Sequence, residues 1–336
     1  MIPRIAALAL AASLAAAAAA AQDSFPSRVT LAIGYEAGGG YDQYARFLAP
    51  FLSKHLPGHP SVVPQNMPGA GSLKAANYLF NSAAKDGSVI ATVGQGVPQM
   101  QVFGQKGIQF QARRFGWIGR ISDAVSMIGV WHTAPAQTIE ETKTKEVTIA
   151  VGGALSGSVL YVQFLNALTG TKLKPIEGYS SNLARLAMER GEVDGSSSLL
   201  WSVVEGEYHW VSDKKARILV QAGIDRIKEI ADVPLIQELG KSEEDRTILK
   251  VISSSDVIGR SLLAPPDLPP QRLAALRRGF DAAISDPEAR AQAARMKVEL
   301  NPLTGEQLSA IVGDYDKLSP AVVEKIRQIA GIKPGD

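Results

Sequence analysis

Apolar positions along the chain follow two alternating patterns. Short apolar runs such as Val29–Tyr35 and Val147–Val151 predict buried strands, whereas Asp42–Lys54 places its apolar residues on one helical face. Further strands are predicted at Val62–Pro64, Val89–Val93, Phe115–Ile121, Ser126–Trp131, Leu173–Ile176 and Val193–Ser197. Further helices are predicted at Ser72–Asn81, Ser158–Leu168, Leu183–Arg190, Gln271–Ile284, Pro287–Met296, Gly305–Tyr315 and Pro320–Ile329. This alternation predicts an α/β fold whose sheets are mainly parallel, with helices on their faces.

A unit of strand, glycine-rich turn and helix occurs twice, starting at Val29 and again at Val147. In open α/β sheets a ligand binds at the carboxyl ends of the strands. Two such half-molecules therefore direct their loops toward one shared crevice. The chain has 336 residues, which exceeds the usual size of one core and also favours two domains.

The N-terminal segment predicts export. Met1–Arg4 carries a positive charge, Ile5–Ala21 is small and apolar, and Ala19-Ala20-Ala21 before Gln22 offers a cleavage site. This is the layout of a signal peptide, so residues 1–21 are expected to be removed and the protein to work in the periplasm. A membrane anchor is the rival interpretation, but the stretch is dominated by alanine and short for a span.

Composition excludes several kinds of partner and cofactor. The chain contains no cysteine and has a formal net charge of +2, so neither disulfides nor thiolate metal sites are expected, and nucleic acid is not an expected partner. Four histidines occur, none at metal-ligand spacing with another histidine or a carboxylate. The dinucleotide motif and the phosphate loop are absent. We therefore expect no metal and no cofactor.

The segment Glu36–Asp42, called here the glycine loop, joins the first strand to the first helix. Glycine lacks a Cβ that would block a ligand, and the free N–H groups of the following helix favour an anion. Asp42 is expected to cap that helix by accepting from N–H groups of its first turn. Two interpretations remain open: an anion site, or a tight turn that needs glycine only for packing.

The second half carries Ser156, Gly157 and Ser158, called here the serine loop, at the equivalent point between strand and helix. These residues offer hydroxyl and N–H groups to an acceptor. The order G-x-x-S-G differs from the nucleophile elbow G-x-S-x-G, and no motif supplies a histidine base. We therefore do not expect catalysis at Ser156.

Other polar loops follow predicted strands, namely Gln95-Gly96, Gly178–Asn182 and Ser196–Ser198. Each could face the crevice, and each could equally be a capped helix start, with Ser181 or Asn182 as the cap of its helix. Tyr41, Tyr179 and Trp201 are candidate stacking walls, although rings of this kind more often belong to the core. From these loops we include Gln95, Tyr179 and Ser197 among the candidate ligand-binding residues.

The chain resembles a known family in several ordered motifs. FPSRVTLAIGYEAGGGYDQYAR, QNMPGAGSLKAANYL and KDGSVIATVG are similar to the solute receptors of tripartite tricarboxylate transporters. AVGGALSGS, EGYSSN, GEVDG and LAPPDLPPQRLAALRRGFDAAISDPEARAQ extend the resemblance from about Phe25 to the C-terminus. Many members have Tyr-Lys-Gly where this chain has Tyr179-Ser180-Ser181. Tyr41 and Gln43 also make the glycine loop bulkier than the common pattern.

The resemblance implies a type II periplasmic binding fold with two α/β lobes, two crossings and a ligand cleft. Lobe 1 is expected at residues 22–123 plus 256–318, and lobe 2 at 124–255 plus 319–336. The crossings are expected near Ile121–Ser126 and Ser253–Gly259, where apolar strands join the halves. A carboxylate would be held by Ala37, Gly38, Gly39, Gly40 and Asp42 with Ser156, Gly157 and Ser158, and Tyr41 belongs to the same candidate site.

The resemblance also implies a monomeric, non-catalytic receptor that delivers a small organic carboxylate to two integral membrane subunits. Two alternatives stay open. One is a periplasmic sensor that reports the same ligand to a signalling partner. The other is a secreted hydrolase using the same cleft, which lacks a recognisable base.

Overall fold

A computed structural model describes residues 25–153, 156–206, 208–223 and 225–332 of the chain. The predicted signal peptide, residues 1–21, lies outside these residues. Within them, every helix is too short or too polar to cross a lipid bilayer.

Strands and helices alternate along most of the described chain. The strands are β1 Arg28–Ile33, β2 Ser61–Asn66, β3 Val89–Thr92, β4 Gly116–Ser122, β5 Ser126–Trp131, β6 Val147–Ala150, β7 Leu173–Ile176, β8 Gly195–Leu200, β9 Ala216–Gln221, β10 Arg260–Ala264 and β11 Leu303–Thr304. The helices are α1 Gly40–His55, α2 Leu73–Asn81, α3 Val97–Phe103, α4 Gly157–Thr169, α5 Ser181–Glu189, α6 Trp201–Val204, α7 Glu243–Ile258, α8 Pro270–Ser285, α9 Pro287–Met296, α10 Gly305–Gly313 and α11 Pro320–Ile329.

The strands form two sheets, which confirms the two-lobe α/β fold. One sheet has the order β11–β4–β10–β3–β1–β2, and the other has the order β7–β6–β8–β5–β9. The expectation of mainly parallel sheets is wrong, because both sheets are mixed. β1 runs parallel to β2 and β3, and β6 runs parallel to β7 and β8, but β10 and β5 are antiparallel to their neighbours.

The mixed direction follows from the crossings between the sheets. β5 and β10 each enter their sheet from the other lobe, at the end where the parallel strands finish, and so they run in the opposite direction. β4 leads into β5 through Asp123–Val125, and α7 leads into β10 through Gly259 alone. Gly259 has φ +50, and a Cβ there would lie 2.3 Å from the carbonyl oxygen of Ser122. The two crossings therefore touch, and only glycine fits at their contact.

Apolar residues fill both faces of the first sheet. On one face α1, α8 and α9 bury a cluster that includes Phe47 and Phe280. The cluster on the other face continues through α2, α3 and α11 into β6, α4 and α7 of the second lobe. A third cluster lies around α5 and β8 and includes Trp210. The lobes thus share a continuous apolar contact along the side of α3 and α11.

Most predicted elements are present with ends shifted by one to three residues, but the segment between residues 200 and 258 differs. α7 is a helix up to Ile258, so the expectation of an apolar strand at the second crossing is wrong there. Helix α3 and strand β9 were not predicted, although Pro98 sits at a first-turn position of α3. Helix α9 begins at Pro287 as predicted, and Asp286 caps it by accepting from the N–H of Glu288 at 2.8 Å.

Candidate functional site

The glycine loop leaves the carboxyl end of β1 and enters α1 directly. Helix α1 begins at Gly40, and Gln43 is the first residue whose N–H bonds back in the helical manner, to the carbonyl oxygen of Gly39 at 2.9 Å. The N–H groups of residues 40–42 therefore find no acceptor in the part of the chain that the structure describes. Residues 36–40 are exposed. Exposed N–H groups of this kind can donate hydrogen bonds to an anion.

Asp42 lies inside the helix, and the expectation that it is the N-cap is wrong. The cap residue is Gly39, which has no side chain, and Asp42 instead turns back to accept from the N–H of Gly38 at 2.9 Å. Asp42 also accepts from Arg46 Nε at 2.8 Å and from Asn66 Nδ2 at 2.9 Å. The hydrogen bond from Arg46 is the main cause that lowers the pKa of Asp42 to about 2. The carboxylate thus holds the loop from behind, with its charge compensated.

The three glycines of the loop differ in whether backbone conformation or packing requires glycine at their positions. Gly38 has φ +83, a conformation that favours glycine. Gly39 has φ −80 and ψ 171, which any residue adopts, and a Cβ there would meet only the carbonyl oxygen of Glu36 at 3.7 Å. A Cβ on Gly40 would meet only the guanidinium of Arg260, at 3.7 Å. Neither the backbone nor the packing of the described residues demands glycine at 39 or 40.

Tyr41 connects the glycine loop to the loop after β3. Its ring stacks on Tyr35 with centroids 4.4 Å apart, and its hydroxyl accepts from the N–H of Gln95 at 2.9 Å. Burial raises the pKa of Tyr41 well above its ordinary value, so the hydroxyl stays neutral. Tyr41 and Gln95 therefore belong to one hydrogen-bonded unit at the edge of the first sheet.

The serine loop begins helix α4 in the second lobe. Ser156 caps the helix by accepting from the N–H of Val159 at 3.4 Å, and its hydroxyl lies 3.0 Å from that of Ser158. Ser158 Oγ also accepts from the N–H of Gly152 at 2.9 Å. Gly157 is exposed. The hydroxyls of this loop thus already hold the turn together, whereas Gly157 presents bare backbone.

The remaining predicted residues of the second lobe lie around this loop. Ser197 is fully buried and donates to the carbonyl oxygen of Ser158 at 2.7 Å, so it supports the serine loop from behind. Tyr179 is half-buried against the third apolar cluster. The expectation that Ser181 or Asn182 caps α5 is wrong, because Ser180 occupies the cap position and accepts from the N–H of Leu183 at 3.4 Å.

A cavity of about 60 Å³ lies where the two lobes meet. It brings together Gln95 of the first lobe and Gly157 of the second, two of the predicted site residues. Its lining consists of Gln95, Gly96, Gln99, Met100, Phe103, Gln105, Gly157, Leu160 and Ser255. The glycine loop and Tyr179 are not part of this lining. The glycine loop is linked to the cavity through its own Tyr41, whose hydroxyl accepts from the N–H of Gln95.

Sequence reasoning missed Asp256 at the second crossing. Its Oδ1 accepts from Gln95 Nε2 at 2.6 Å and its Oδ2 accepts from the N–H of Ser126 at 2.7 Å. The residue is 1% exposed, and burial raises the pKa of its carboxyl to about 7. Asp256 thus joins the loop after β3 to the start of β5. The signal that could have found it is the lone acid in the otherwise uncharged run Val251–Gly259.

Two further polar residues at this edge were missed. Asn66, within QNMPGAG, donates to the carbonyl oxygen of Tyr35 at 3.0 Å as well as to Asp42. It therefore ties both ends of the glycine loop to β2. Arg260 is the first residue of β10, and its guanidinium lies beside Gly40. In the described residues, no group of three or more His, Asp or Glu side chains is arranged to hold a metal ion.

The chain has relatives of similar length. It is 27% identical to a UPF0065 protein of Cupriavidus necator over 342 aligned positions, covering 96% of this chain and 95% of the relative. It is 28% identical to a UPF0065 protein of Agrobacterium vitis over 300 positions, covering 85% of this chain and 80% of the relative. No protein-family model matches the sequence.

Solved structures with the same fold are periplasmic solute-binding proteins. A TctC solute-binding protein from Polaromonas has a TM-score of 0.68 and 21% identity, covering 92% of this chain and 99% of that one. MatC of Rhodopseudomonas palustris, with bound malate, has a TM-score of 0.61 and 18% identity, covering 90% and 98%. Another R. palustris protein, with adipate, has a TM-score of 0.62 and 18% identity, covering 91% and 98%.

The predicted resemblance is confirmed, both by the homologous sequences and by the fold. The chain is a homologue of the UPF0065 proteins and has the two-lobe fold of the TctC solute-binding proteins of tripartite tricarboxylate transporters.

Proposed function

We propose that this protein is a periplasmic receptor that binds a small organic carboxylate between its two lobes without chemically changing it. The carboxylate is held by N–H groups at the start of α1, with the serine loop of the second lobe opposite. One observation carries the proposal: Gly39 and Gly40 are exposed at a helix N-terminus, and neither their backbone conformation nor their packing requires glycine. A ligand that approaches the backbone closely explains both glycines.

The physical basis is charge-assisted hydrogen bonding from fixed donors. The buried Asp42 holds the loop in place before the ligand arrives, so little ordering entropy is lost on binding. Hydrogen bonds from N–H groups to a carboxylate contribute about 1.5–3 kcal/mol each. Closure of the lobes removes water and strengthens these contacts. Malate and adipate, which occupy proteins of this fold, are the carboxylates to test first.

Delivery to a membrane transporter is the role that agrees best with the homology. The partners in this proposal are two integral membrane subunits, and the receptor acts as a monomer. A hydrolase is a weaker proposal because the Ser156 hydroxyl bonds to Ser158 and to the N–H of Val159, neither of which is a base. A sensor would use the same binding site.

The proposal is tested by measuring the melting temperature of purified mature protein against a panel of organic acids that includes malate and adipate. We expect at least one acid, and not its amide analogue, to raise the melting temperature in proportion to the logarithm of its concentration. Native mass spectrometry of the same sample should show one bound acid per chain. A panel in which no acid shifts the melting temperature would contradict the proposal.

A further inference from the structure

Arg260 places a positive charge against the glycine loop. It follows Gly259 at the second crossing and begins β10, at the sheet edge where β1 and β3 end. Its Nη2 and Nε lie 3.7 Å and 3.9 Å from the position that a Cβ on Gly40 would occupy. The guanidinium is therefore next to the first residue of α1, where the helix has its unbonded N–H groups.

Neighbouring groups orient the guanidinium but do not neutralise it. Nη1 donates to the carbonyl oxygen of Asp123 at 2.8 Å, and the Tyr44 ring lies 4.4 Å below the guanidinium carbon. The Tyr41 ring is 5.9 Å away. Arg260 forms no ion pair with a carboxylate of the described residues, and Asp42 of the glycine loop is already engaged by Arg46. The charge of Arg260 thus has no carboxylate partner in the part of the chain that the structure describes.

One polar atom of this side chain is buried without a partner. Nε of Arg260 is inaccessible to solvent and has no hydrogen-bond acceptor among the described residues. Buried N–H donors are nearly always bonded, and a charged donor left unbonded is costly. An unpartnered cationic donor beside open backbone at a helix N-terminus indicates that an anionic acceptor belongs there.

We propose that Arg260 is a ligand-binding residue that pairs with the anionic group held at the glycine loop and so selects anions over neutral analogues. This inference rests on the proposed function and adds to it a side-chain charge that the backbone site lacks. Nη2 is the guanidinium nitrogen nearest Gly40, and a hydrogen bond from a charged donor to a carboxylate is stronger than one between neutral groups. Because Gly40 has no Cβ, the guanidinium lies beside bare backbone, with Nη2 3.7 Å from the position that a Cβ would occupy.

Titration calorimetry with malate and adipate tests the proposal on the mature full-length chain. We expect Arg260→Gln to weaken binding about 10- to 100-fold, as loss of hydrogen bonds to a charged group implies, and Arg260→Lys to bind with intermediate affinity. Arg278→Gln is the matched control, since Arg278 is exposed on α8 and its loss changes the net charge equally. An Arg260→Gln variant that melts normally and binds like the Arg278→Gln control would overturn the proposal.

A second probe separates this proposal from the proposed function. Inorganic sulfate is added at constant ionic strength, and the melting temperatures of wild type and Arg260→Gln are compared. A larger rise in wild type supports an anion site at Arg260 even where neither diacid binds, in which case only the carboxylate function fails. Equal rises in both proteins reflect general salt exclusion and, together with equal diacid responses, count against the role of Arg260.

Discussion

The buried carboxylate of Asp42 accepts the N–H of Gly38 at 2.9 Å, four residues before it in the chain. A carboxylate beside a proposed anion site would be expected to repel the ligand, but Asp42 is turned inward and supports the loop. Its charge is offset by Arg46, and Asn66 shares the same oxygen atom. The loop is held from inside the lobe, so its outer side remains free for a ligand.

Removal of the Asp42 carboxylate should destabilise the first lobe. Asp42→Ala leaves the Gly38 N–H and the Asn66 amide without their acceptor, and we expect the free energy of unfolding to fall by about 1–3 kcal/mol. Asp42→Asn keeps one acceptor oxygen and should lose less. Urea unfolding followed by circular dichroism measures both variants. Equal stability of Asp42→Ala and wild type would show that the loop does not depend on this contact.

Asp256 should make stability depend on pH. Burial raises the pKa of its carboxyl to about 7, above the ordinary value of 3.8. The folded protein therefore holds a proton that the unfolded chain has released, and the resulting stability falls as pH rises from about 4 to about 7. The full difference corresponds to roughly 4 kcal/mol at most.

Asp256→Asn removes this titration, and we expect its melting temperature to vary less with pH between 4 and 8 than that of wild type. Asp213→Asn is a suitable control, since Asp213 is an exposed acid that pairs with Lys215 at 3.0 Å. Parallel pH profiles for wild type and Asp256→Asn would exclude Asp256 as the titrating group.

The serine loop should contribute to both stability and binding. Ser156→Ala removes the cap of α4, which costs about 1 kcal/mol, and Ser158→Ala removes the acceptor of the Gly152 N–H. We expect the double variant to melt at a lower temperature and to bind its carboxylate more weakly. Ser180→Ala, which removes the equivalent cap of α5, is the control. If the double variant is less stable but binds with unchanged affinity, the ligand must contact other residues of the second lobe.

The fold was predictable where local patterns decide structure. The alternation from Val29 to Ile176 predicts the strands and most of the helices there, α3 excepted, because each of these segments buries a simple apolar face. Helix α7 was missed because Ser253, Ser254 and Ser255 are poor helix formers, yet all three are buried and bond to carbonyl oxygens of the preceding turn. Tertiary packing overrides propensity there, and no local pattern reports it.

Of the candidate site, the sequence predicts the backbone loop but not the charged side chains around it. The position of the glycine loop follows from glycine itself. Arg260 beside the loop and Asp256, which accepts from Gln95, come more than 200 residues further along the chain. Their placement depends on the antiparallel entry of β10, which the predicted parallel sheets did not include. Long-range strand pairing of this kind leaves no signal at short sequence distance.

The most direct test of the account is titration calorimetry of Gly39→Val with the carboxylate that binds wild type. Valine suits the backbone at Gly39, and its Cβ meets only ordinary contacts, so the fold should be retained while the side chain blocks ligand approach. Gly313→Val is the matched control, because Gly313 has φ −64 and open space around it at the end of α10. We predict that Gly39→Val melts like the control and loses measurable binding. Unchanged affinity in a folded Gly39→Val protein would contradict the account.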